Sequence, residues 1–360
     1  MDNVFWIALC TAALILLQSL ILRRFALRRI DYTRFFSRSK LYEGEQMEMV
    51  EIIANRKLLP VPWVRVESRI PRQLHLLGST DEIDIQGGMY HRSAFTLSAY
   101  QQITRRHRVQ AVSRGYFNVS SAAMTTGDLL GLSSAARNVD LNCFLTVYPK
   151  PVDVQELLLP SLKWQGDLVV RRYIMPDMFL YGGIRDYAPG DPLRSVHWGA
   201  TAATGALKVK QYDYTAAPRL LLVLNVQPRE DTWGGIGAQD LPDIEQGLRI
   251  AASLAEYLIA SGLEVGFASN GRLAGTEETV LIHPACSFEQ RELILDACAR
   301  FEIFRQRSFH QFLEDLPPFK EYDLLVLTCY RSPLCDAALS DIRVRGNSVG
   351  YYMLRQEAEA

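Results

Sequence analysis

Near its amino terminus the chain carries an uncharged apolar run, VFWIALCTAALILLQSLIL from Val4 to Leu22. Nineteen helical residues at about 1.5 Å each extend roughly 28 Å, which matches the hydrocarbon thickness of a bilayer. A cleaved signal peptide would carry positive charge before the run and small residues after it, whereas Asp2 precedes this run and RRFALRR follows it. A buried core helix is seldom apolar on every face. The run therefore predicts a transmembrane anchor over residues 1–24.

Basic residues follow the apolar run in close succession: Arg23, Arg24, Arg28, Arg29, Arg34, Arg38 and Lys40. Positive residues that flank a membrane span stay on the cytoplasmic side, and the short amino terminus offers none to compete. We therefore expect a single-pass protein of the cell membrane, with its amino terminus outside and the bulk of the chain in the cytoplasm. The six cysteines are scattered without metal-ligand spacing, as is common for reduced thiols in that compartment.

The composition excludes several classes of protein. With 48% apolar and 22% charged residues, the chain is globular rather than disordered or fibrous. Lys plus Arg number 39 against 40 Asp plus Glu, so the chain has no net positive charge that would attract nucleic acid. We therefore expect no nucleic-acid partner. The glycines Gly234, Gly235 and Gly237 approach a dinucleotide-binding pattern, but Asp240 stands where the third glycine of that pattern belongs, so we expect no cofactor.

Residues 41–150 predict a β-sandwich-like domain. Short runs in which apolar and polar residues alternate, such as Val64–Glu67 and Phe95–Ser98, are separated by turn signals, as in half-buried strands. One run, TRRHR over Thr104–Arg108, allows two interpretations. It is an exposed strand, or it is a lipid-headgroup patch formed with the juxtamembrane arginines by Arg105, Arg106 and Arg108.

Residues 218–356 predict a doubly wound α/β domain, which makes the whole chain an α+β multidomain protein. RLLLVLNV after Pro218 is typical of a strand buried on both faces, and Pro242–Ser261 repeats apolar residues at helical spacing before Gly262. The next predicted elements are a strand over Leu263–Ala268, a helix over Phe288–Phe301, and strands over Tyr322–Thr328 and Ser348–Leu354. Such alternation indicates a mainly parallel sheet, which binds ligands at the carboxyl ends of its strands.

The most specific feature is YGGIRDYAPGDPLRSVHWGATAATGALKVKQYD, Tyr181–Asp213, within a segment that we place at 151–217. It resembles the signature of the domain of unknown function 58 family, approximately an aromatic residue or Leu, Arg-Glu-Tyr, x, Pro-Gly-Asp, x, x, Arg, x, Ile-Asp-Trp, and then small residues and a Lys-bearing strand. The matching residues are Arg185, Tyr187, Pro189, Gly190, Asp191, Arg194 and Trp198. The departures are Asp186 for Glu, His197 for Asp, Gly199 for Lys and Ala203 for Arg.

The resemblance extends over nearly the whole chain. The family's usual layout has a membrane segment, a β-rich region with RGYF and GDLLGL before VYP, and a carboxyl-terminal region similar to a von Willebrand factor A domain. Many relatives carry two membrane spans, whereas one is evident here. The resemblance implies this fold, and it implies a MoxR-type AAA ATPase as a partner in an assembly role at the cell envelope.

A von Willebrand A-like metal site uses Asp-x-Ser-x-Ser after its first strand, because a hard divalent cation prefers carboxylate and hydroxyl oxygens. Here the corresponding places hold Asn225, Gln227 and Arg229. Two neutral amides and a cation are poor ligands for such an ion, so we expect no divalent metal there.

The signature itself allows a structural, a docking or a catalytic interpretation. Opposite charges surround its Pro-Gly turn: Arg185, Asp186, Asp191 and Arg194. Bidentate hydrogen bonds among them would form a structural ion-pair cluster, with Tyr187 and Trp198 filling a joint between modules, or a docking surface.

The catalytic alternative is a hydrolase-type enzyme centred on Asp191, Arg194 and His197, with His197 as proton shuttle. No Ser, Cys or metal constellation accompanies the histidine in sequence. We therefore expect a membrane-anchored, non-enzymatic protein-interaction or assembly factor that contacts lipid through its amino-terminal helix.

Overall fold

The computed structural model describes residues 2–78, 82–85, 88–128, 134–157, 164–166, 183–188, 196–211, 219–232 and 236–355. Within it the chain divides into two compact units, Met1–Lys150 and Pro151–Ala360.

Helix α1, Asp2–Phe25, is the one helix in the described ranges that is long and apolar enough to cross a membrane. The side chains from Val4 to Leu14 are exposed, and Arg23 and Arg24 lie in the last turn. The amino-terminal apolar helix that the sequence predicts is thus present.

The remainder of the first unit is built from strands: β1 Ile30–Phe36, β2 Lys40–Tyr42, β3 Gln46–Asn55, β4 Val61–Ile70, β5 Leu74–Leu77, β6 Glu82–Ile85, β7 Gly88–Leu97, β8 Gln102–Ala111, β9 Gly115–Gly127 and β10 Ser134–Tyr148. They form one sheet of order β1-β3-β8-β5 and another of order β2-β10-β9-β4-β7-β6. Neighbouring strands are antiparallel except for β2 and β10, which are parallel.

The two sheets pack face to face around a shared apolar core. Ile30 and Ile53 of the first sheet lie in one buried cluster with Val66 and Phe95 of the second. A β-sandwich is therefore present, as the alternating pattern predicts. The sandwich begins at β1 rather than at residue 41. The sequence pattern does not predict β1, because the inward-facing Arg34 interrupts its alternation of apolar and polar residues.

The second unit contains both helices and strands. Its helices are α2 Val154–Leu157, α3 Trp198–Thr204, α4 Leu241–Ala260, α5 Phe288–Arg300, α6 Phe309–Glu314 and α7 Pro333–Val344. Its strands are β11 Trp164–Gly166, β12 Gly183–Asp186, β13 Lys208–Gln211, β14 Arg219–Leu224, β15 Glu264–Leu273, β16 Thr279–Ala285, β17 Phe301–Glu302, β18 Tyr322–Thr328 and β19 Ser348–Met353.

The main sheet of this unit has the order β11-β19-β18-β14-β15-β16, with β17 also paired to β15. The four central strands are parallel, whereas the pairs β11–β19 and β15–β16 are antiparallel. Helices cover both faces of the sheet. On one face Leu221 and Val223 pack with Phe309 of α6. On the other face α4 packs closely on the sheet at Gly247, where a Cβ atom added to the glycine would lie only 2.7 Å from Cδ1 of Leu224.

The predicted elements of the α/β region are present, and their ends differ from the prediction by at most two residues, except that β15 extends to Leu273 rather than Ala268. The strand predicted at Tyr322–Thr328 is β18, and the helix predicted at Pro242–Ser261 is α4. The sheet is mainly parallel and has helices on both faces, as the sequence predicts. The assignment to a von Willebrand A-like domain stays a prediction.

Candidate functional site

Strands β12 and β13 of the signature segment form a two-stranded sheet of their own. We call these strands, with Leu207 and the helix α3 that precede β13, the signature hairpin. Strands β12 and β13 pair antiparallel, which places Asp186 opposite Lys208, and Lys208 Nζ donates to Asp186 Oδ1 at 2.6 Å. Arg185 Nη1 donates to the backbone oxygen of Asp186 at 3.0 Å. Asp186 thus pairs with a lysine of the following strand, and because its side chain is exposed this ion pair contributes little stability.

His197 caps the amino terminus of α3. Its Nδ1 accepts the backbone N–H of Ala200 at 3.0 Å, and its own backbone N–H donates to the oxygen of Lys208 at 2.8 Å. The seven-residue helix ends at Gly205, whose φ of 70° suits a residue without a side chain. His197 therefore has a structural role in holding α3 against β13.

Trp198 is exposed rather than packed. Its side chain is 66% exposed, and Ile184 and Leu207 of the same hairpin are each 43% exposed. The hypothesis that Tyr187 and Trp198 fill a joint between modules stays a prediction. Tyr187 is half-buried, and its backbone N–H donates to the backbone oxygen of Leu207 at 3.0 Å.

Four signature residues lie outside the described residues: Pro189, Gly190, Asp191 and Arg194. The ion-pair cluster around the Pro-Gly turn therefore stays a prediction, as does the catalytic arrangement with His197.

The carboxyl ends of the parallel strands carry a network of neutral amides. Asn225 Nδ2 donates to Thr328 Oγ1 at 3.0 Å, and Asn225 Oδ1 accepts from the backbone of Gln227 at 2.9 Å and from Asn270 Nδ2 at 3.3 Å. Gln227 Oε1 in turn accepts the backbone N–H of Phe309 at 3.1 Å. These amides are buried and join β14, β15, β18 and α6 by uncharged hydrogen bonds.

Charged groups surround this network without entering it. Arg229, at the third place of the von Willebrand A-like metal motif that this chain does not match, is exposed, and its Nη2 lies 3.9 Å from Asp240 Oδ2. Arg355 donates to Asp240 at 2.7 Å and also to Asp243. Asp240 and Asp243 are thus both engaged by arginines.

The network supports a prediction about Asn225. In Asn225→Asp a carboxylate replaces a buried amide and loses the hydrogen bond to Thr328, so we expect unfolding free energy to fall by about 2–4 kcal/mol. The measurement is chemical unfolding of the full chain in detergent with a chelator present. Glu230→Gln, a surface change in the same loop, is the control and should alter stability by less than about 0.5 kcal/mol. Unchanged stability in Asn225→Asp would contradict the neutral network.

A second polar cluster lies inside the β-sandwich, where the sequence indicated none. Its centre is Glu51 of β3, which is fully buried. Arg34 Nη2 and Tyr32 Oη donate to Glu51 Oε1, the latter at 2.7 Å. Ser93 Oγ donates to Glu51 Oε2 at 2.7 Å, and His107 Nε2 lies 3.1 Å from the same oxygen.

The cluster joins both sheets. Arg34 Nη1 donates to Ser68 of β4, and His91 Nε2 of β7 lies 3.0 Å from Ser93 Oγ and 3.5 Å from Glu51 Oε1. Burial by itself would raise the pKa of Glu51, but hydrogen bonds from His107 and His91 and the charge of Arg34 hold it well below its usual range. Glu51 is therefore an ionised carboxylate in the core.

This cluster resembles two kinds of functional site in composition. Glu51, His91 and His107 bring possible metal-ligand atoms within 4.8 Å of one another, and Ser93, His91 and Glu51 have the residue types of a hydrolytic triad. Both oxygens of Glu51 already accept hydrogen bonds, and Arg34 places a positive charge where an ion would bind. Ser93 is fully buried, so a substrate does not reach its hydroxyl. The arrangement serves the stability of the sandwich.

Comparisons with known proteins show distant similarity. No family model matches the chain. It is 19% identical over 252 residues to the uncharacterized protein YeaD of Bacillus subtilis (strain 168), which covers 70% of this chain and 58% of that relative. The chain thus spans less than two thirds of the length of the curated relative that it matches.

Among solved structures the similarity is to β-domains at low TM-score. A CARDB domain from Pyrococcus furiosus covers 32% of this chain and 96% of its own, with 12% identity and a TM-score of 0.19. A non-cellulosomal cohesin from Archaeoglobus fulgidus covers 36% and 99%, with 11% identity and a TM-score of 0.20. Trypsin-activated alpha-2-macroglobulin from Escherichia coli covers 47% and 9%, with 14% identity and a TM-score of 0.25. No functional argument rests on these values.

Proposed function

We propose that this chain is a membrane-anchored, non-enzymatic adaptor whose signature hairpin binds a protein partner. The observation that carries the proposal is the exposure of Trp198, Ile184 and Leu207 on that hairpin. Tryptophan is enriched among the residues that dominate binding energy at protein interfaces, and a large aromatic side chain left in water is unfavourable without such a role. The hairpin is therefore suited to docking.

Anchoring is the second part of the proposal. The exposed apolar surface of α1 and the arginines in its last turn support a membrane span with the two units on the cytoplasmic side. The alternative of a signal sequence predicts a mature chain without α1. Mass spectrometry of the native chain separates the two, because an anchor is retained.

The partner class follows from the signature. Its similarity to the domain of unknown function 58 family supports membership in that family, and the family's association with MoxR-type AAA ATPases makes such an ATPase the candidate partner. The amides of Asn225, Gln227 and Asn270 at the strand ends hydrogen-bond to one another or to neighbouring groups, so we assign them a structural role.

Trp198→Ala tests the docking role. We expect the affinity of the full chain in detergent for a purified MoxR-type ATPase of the same organism to fall at least about 30-fold, which corresponds to the roughly 2 kcal/mol of an interface residue that dominates binding. The measurement is a binding titration with the immobilised chain.

The matched control is Val344→Ala, which truncates an exposed side chain on α7 and should leave the affinity unchanged. Equal affinity in the wild type and Trp198→Ala would contradict the hairpin as the docking site, and absence of binding by the wild type would contradict the ATPase as partner. A steady turnover of any substrate that His197→Ala abolishes would favour the hydrolase alternative centred on Asp191, Arg194 and His197.

A further inference from the structure

Helix α1 is fixed to one end of the sandwich rather than tethered to it. On one of its faces Ser19 and Leu22 are buried, and Ala26, which follows its last residue, is buried too; Leu22 and Ala26 belong to the sandwich core. Lys57 Nζ donates to the backbone oxygens of Ala26 and Arg28 at 2.6 and 2.8 Å. Because these carbonyls lie just beyond Phe25, the last residue of the helix, α1 holds that end of the sandwich at a set distance from any membrane that it crosses.

Arg137 strengthens the same junction. It donates to the backbone oxygens of Leu27 and Ile30 at 3.3 and 2.6 Å. Cations from the β3–β4 loop and from strand β10 thus bind the carbonyls at the exit of α1. We call this part of the molecule, residues 23–31, 56–62 and 98–101, the helix end of the sandwich.

The loop between β3 and β4 runs beside the apolar part of α1. A groove of about 360 Å³ is lined by α1 residues between Leu14 and Leu22, by Leu59 and Pro60 of the loop, and by Pro62 near the start of β4. Leu14 lies nine residues before Arg23, about 13 Å along the helix, which is most of one hydrocarbon leaflet. The loop therefore lies at the depth of acyl chains wherever α1 spans a bilayer.

Two loops at the same end of the sandwich carry large side chains that are exposed to solvent. Leu58, at the tip of the loop between β3 and β4, is 75% exposed. Tyr100, in the loop between β7 and β8, is 70% exposed, and its backbone N–H donates to Lys57 at 3.2 Å. The φ of Tyr100 is 53°, a left-handed conformation that is strained for a bulky residue. Tyrosine is also a residue of membrane–water interfaces.

The charge of the helix end is positive. Its cations are Arg23, Arg24, Arg28, Arg29, Arg56 and Lys57, and Asp31 is its acidic residue. Arg56 pairs with Asp31 at 2.9 Å, which leaves a clear excess of positive charge on exposed arginines. Such a surface complements anionic phospholipid headgroups.

We propose that the helix end docks on an anionic phospholipid bilayer, with Leu58 inserted among the acyl chains, Tyr100 at the headgroup level and an acyl chain in the groove beside α1. The inference rests on the anchoring by α1 proposed above. It assigns lipid contact to residues other than the Thr104–Arg108 run, whose side chains alternate between the two faces of β8, with His107 inward and Arg106 outward.

Depth measurements on the full chain test this docking. Nitroxide labels are attached to Leu58→Cys, Tyr100→Cys and Val112→Cys in a chain whose exposed Cys10 and Cys286 are replaced by serine. The chain is reconstituted in phosphatidylcholine vesicles with or without phosphatidylglycerol. We expect the label at 58 to be reached by oxygen and protected from a water-soluble nickel complex. The exposed Val112 follows the opposite end of β8, so its label should show the aqueous pattern.

A charge change tests the headgroup contribution. We expect Arg28→Glu to reduce the immersion of the label at 58 in phosphatidylglycerol vesicles to its level in phosphatidylcholine alone. Arg108→Glu, an exposed change far from the helix end along β8, should leave it unchanged. Equal immersion in Arg28→Glu and the wild type would overturn the role of the anionic headgroups.

The two proposals fail in distinguishable ways. Resistance of the vesicle-bound chain to alkaline carbonate extraction reports the span by α1 independently of the labels. An aqueous pattern at 58 in a chain that resists extraction would overturn docking and leave anchoring intact. Release of the chain by carbonate would overturn both anchoring and the docking that rests on it.

Discussion

Arg34→Met is expected to lower the free energy of unfolding of the sandwich by about 3–5 kcal/mol, because it leaves the charge of Glu51 buried without its partner. The side chains of Arg34 and Glu51 are both fully buried, and Arg34 also donates to Tyr32 Oη at 3.0 Å and to Ser68. Methionine keeps most of the volume, so the loss is electrostatic. Urea unfolding of the full chain in detergent, with hydrogen exchange on β1 and β3, measures it.

An exposed ion pair on the same sheet provides the control. Arg106 Nη1 lies 3.0 Å from Glu48 Oε2, with side chains 68% and 44% exposed, and the two residues belong to β8 and β3. Arg106→Met should cost less than about 1 kcal/mol. The double variant of Arg34→Met with Glu51→Leu should lose less stability than the sum of the single variants, because no charge stays unpaired. Equal losses in the Arg34 and Arg106 variants would contradict the buried pair.

The buried cluster could not be predicted from the sequence, because its members meet only through strand register. Arg34 lies directly opposite Glu51 in the β1–β3 pair, while His107 pairs with Met49, two residues before Glu51. A one-residue shift of either register would turn these side chains to the other face. Arg34 follows the apolar helix among other arginines, so in the sequence it is indistinguishable from a juxtamembrane charge.

The α/β unit was more predictable where its segments are apolar on both faces. The continuous runs of β14 and β18 predict central strands whatever their neighbours are. The sequence indicates β16 only through a strand end at His283, because the strand has no continuous apolar run and Pro284 follows the exposed His283. Helix α7 was missed although Ser332 caps it and Pro333 begins it, the usual signals for a helix start.

The signature hairpin shows a different limit of sequence reasoning. A local motif is visible in one sequence, so Arg185, Asp186 and Trp198 could be singled out. Whether an aromatic side chain such as Trp198 is buried in a joint or left in water depends on the packing around it, which the motif does not contain. The exposure of Trp198 supports the docking role proposed above.

Acid should destabilise the sandwich through Glu51. The pKa of Glu51 in the folded chain lies well below its ordinary value of 4.5, because His107, His91 and Arg34 favour the ionised form more than burial opposes it. The unfolded chain therefore binds a proton near pH 4.5, whereas the folded chain does not. Stability from Glu51 is fully present above that pH and falls by up to about 1.4 kcal/mol for each unit of pH below it.

Glu51→Gln isolates this contribution from that of the other carboxylates. The variant is less stable at neutral pH, but it cannot titrate at position 51, so its free energy of unfolding should fall less steeply with acid than that of the wild type. Glu48→Gln, on the exposed face of the same strand, should keep the wild-type slope. Urea unfolding at a series of pH values below neutrality measures the slopes, and parallel slopes for Glu51→Gln and the wild type would show that Glu51 titrates in the folded core as it does in the unfolded chain.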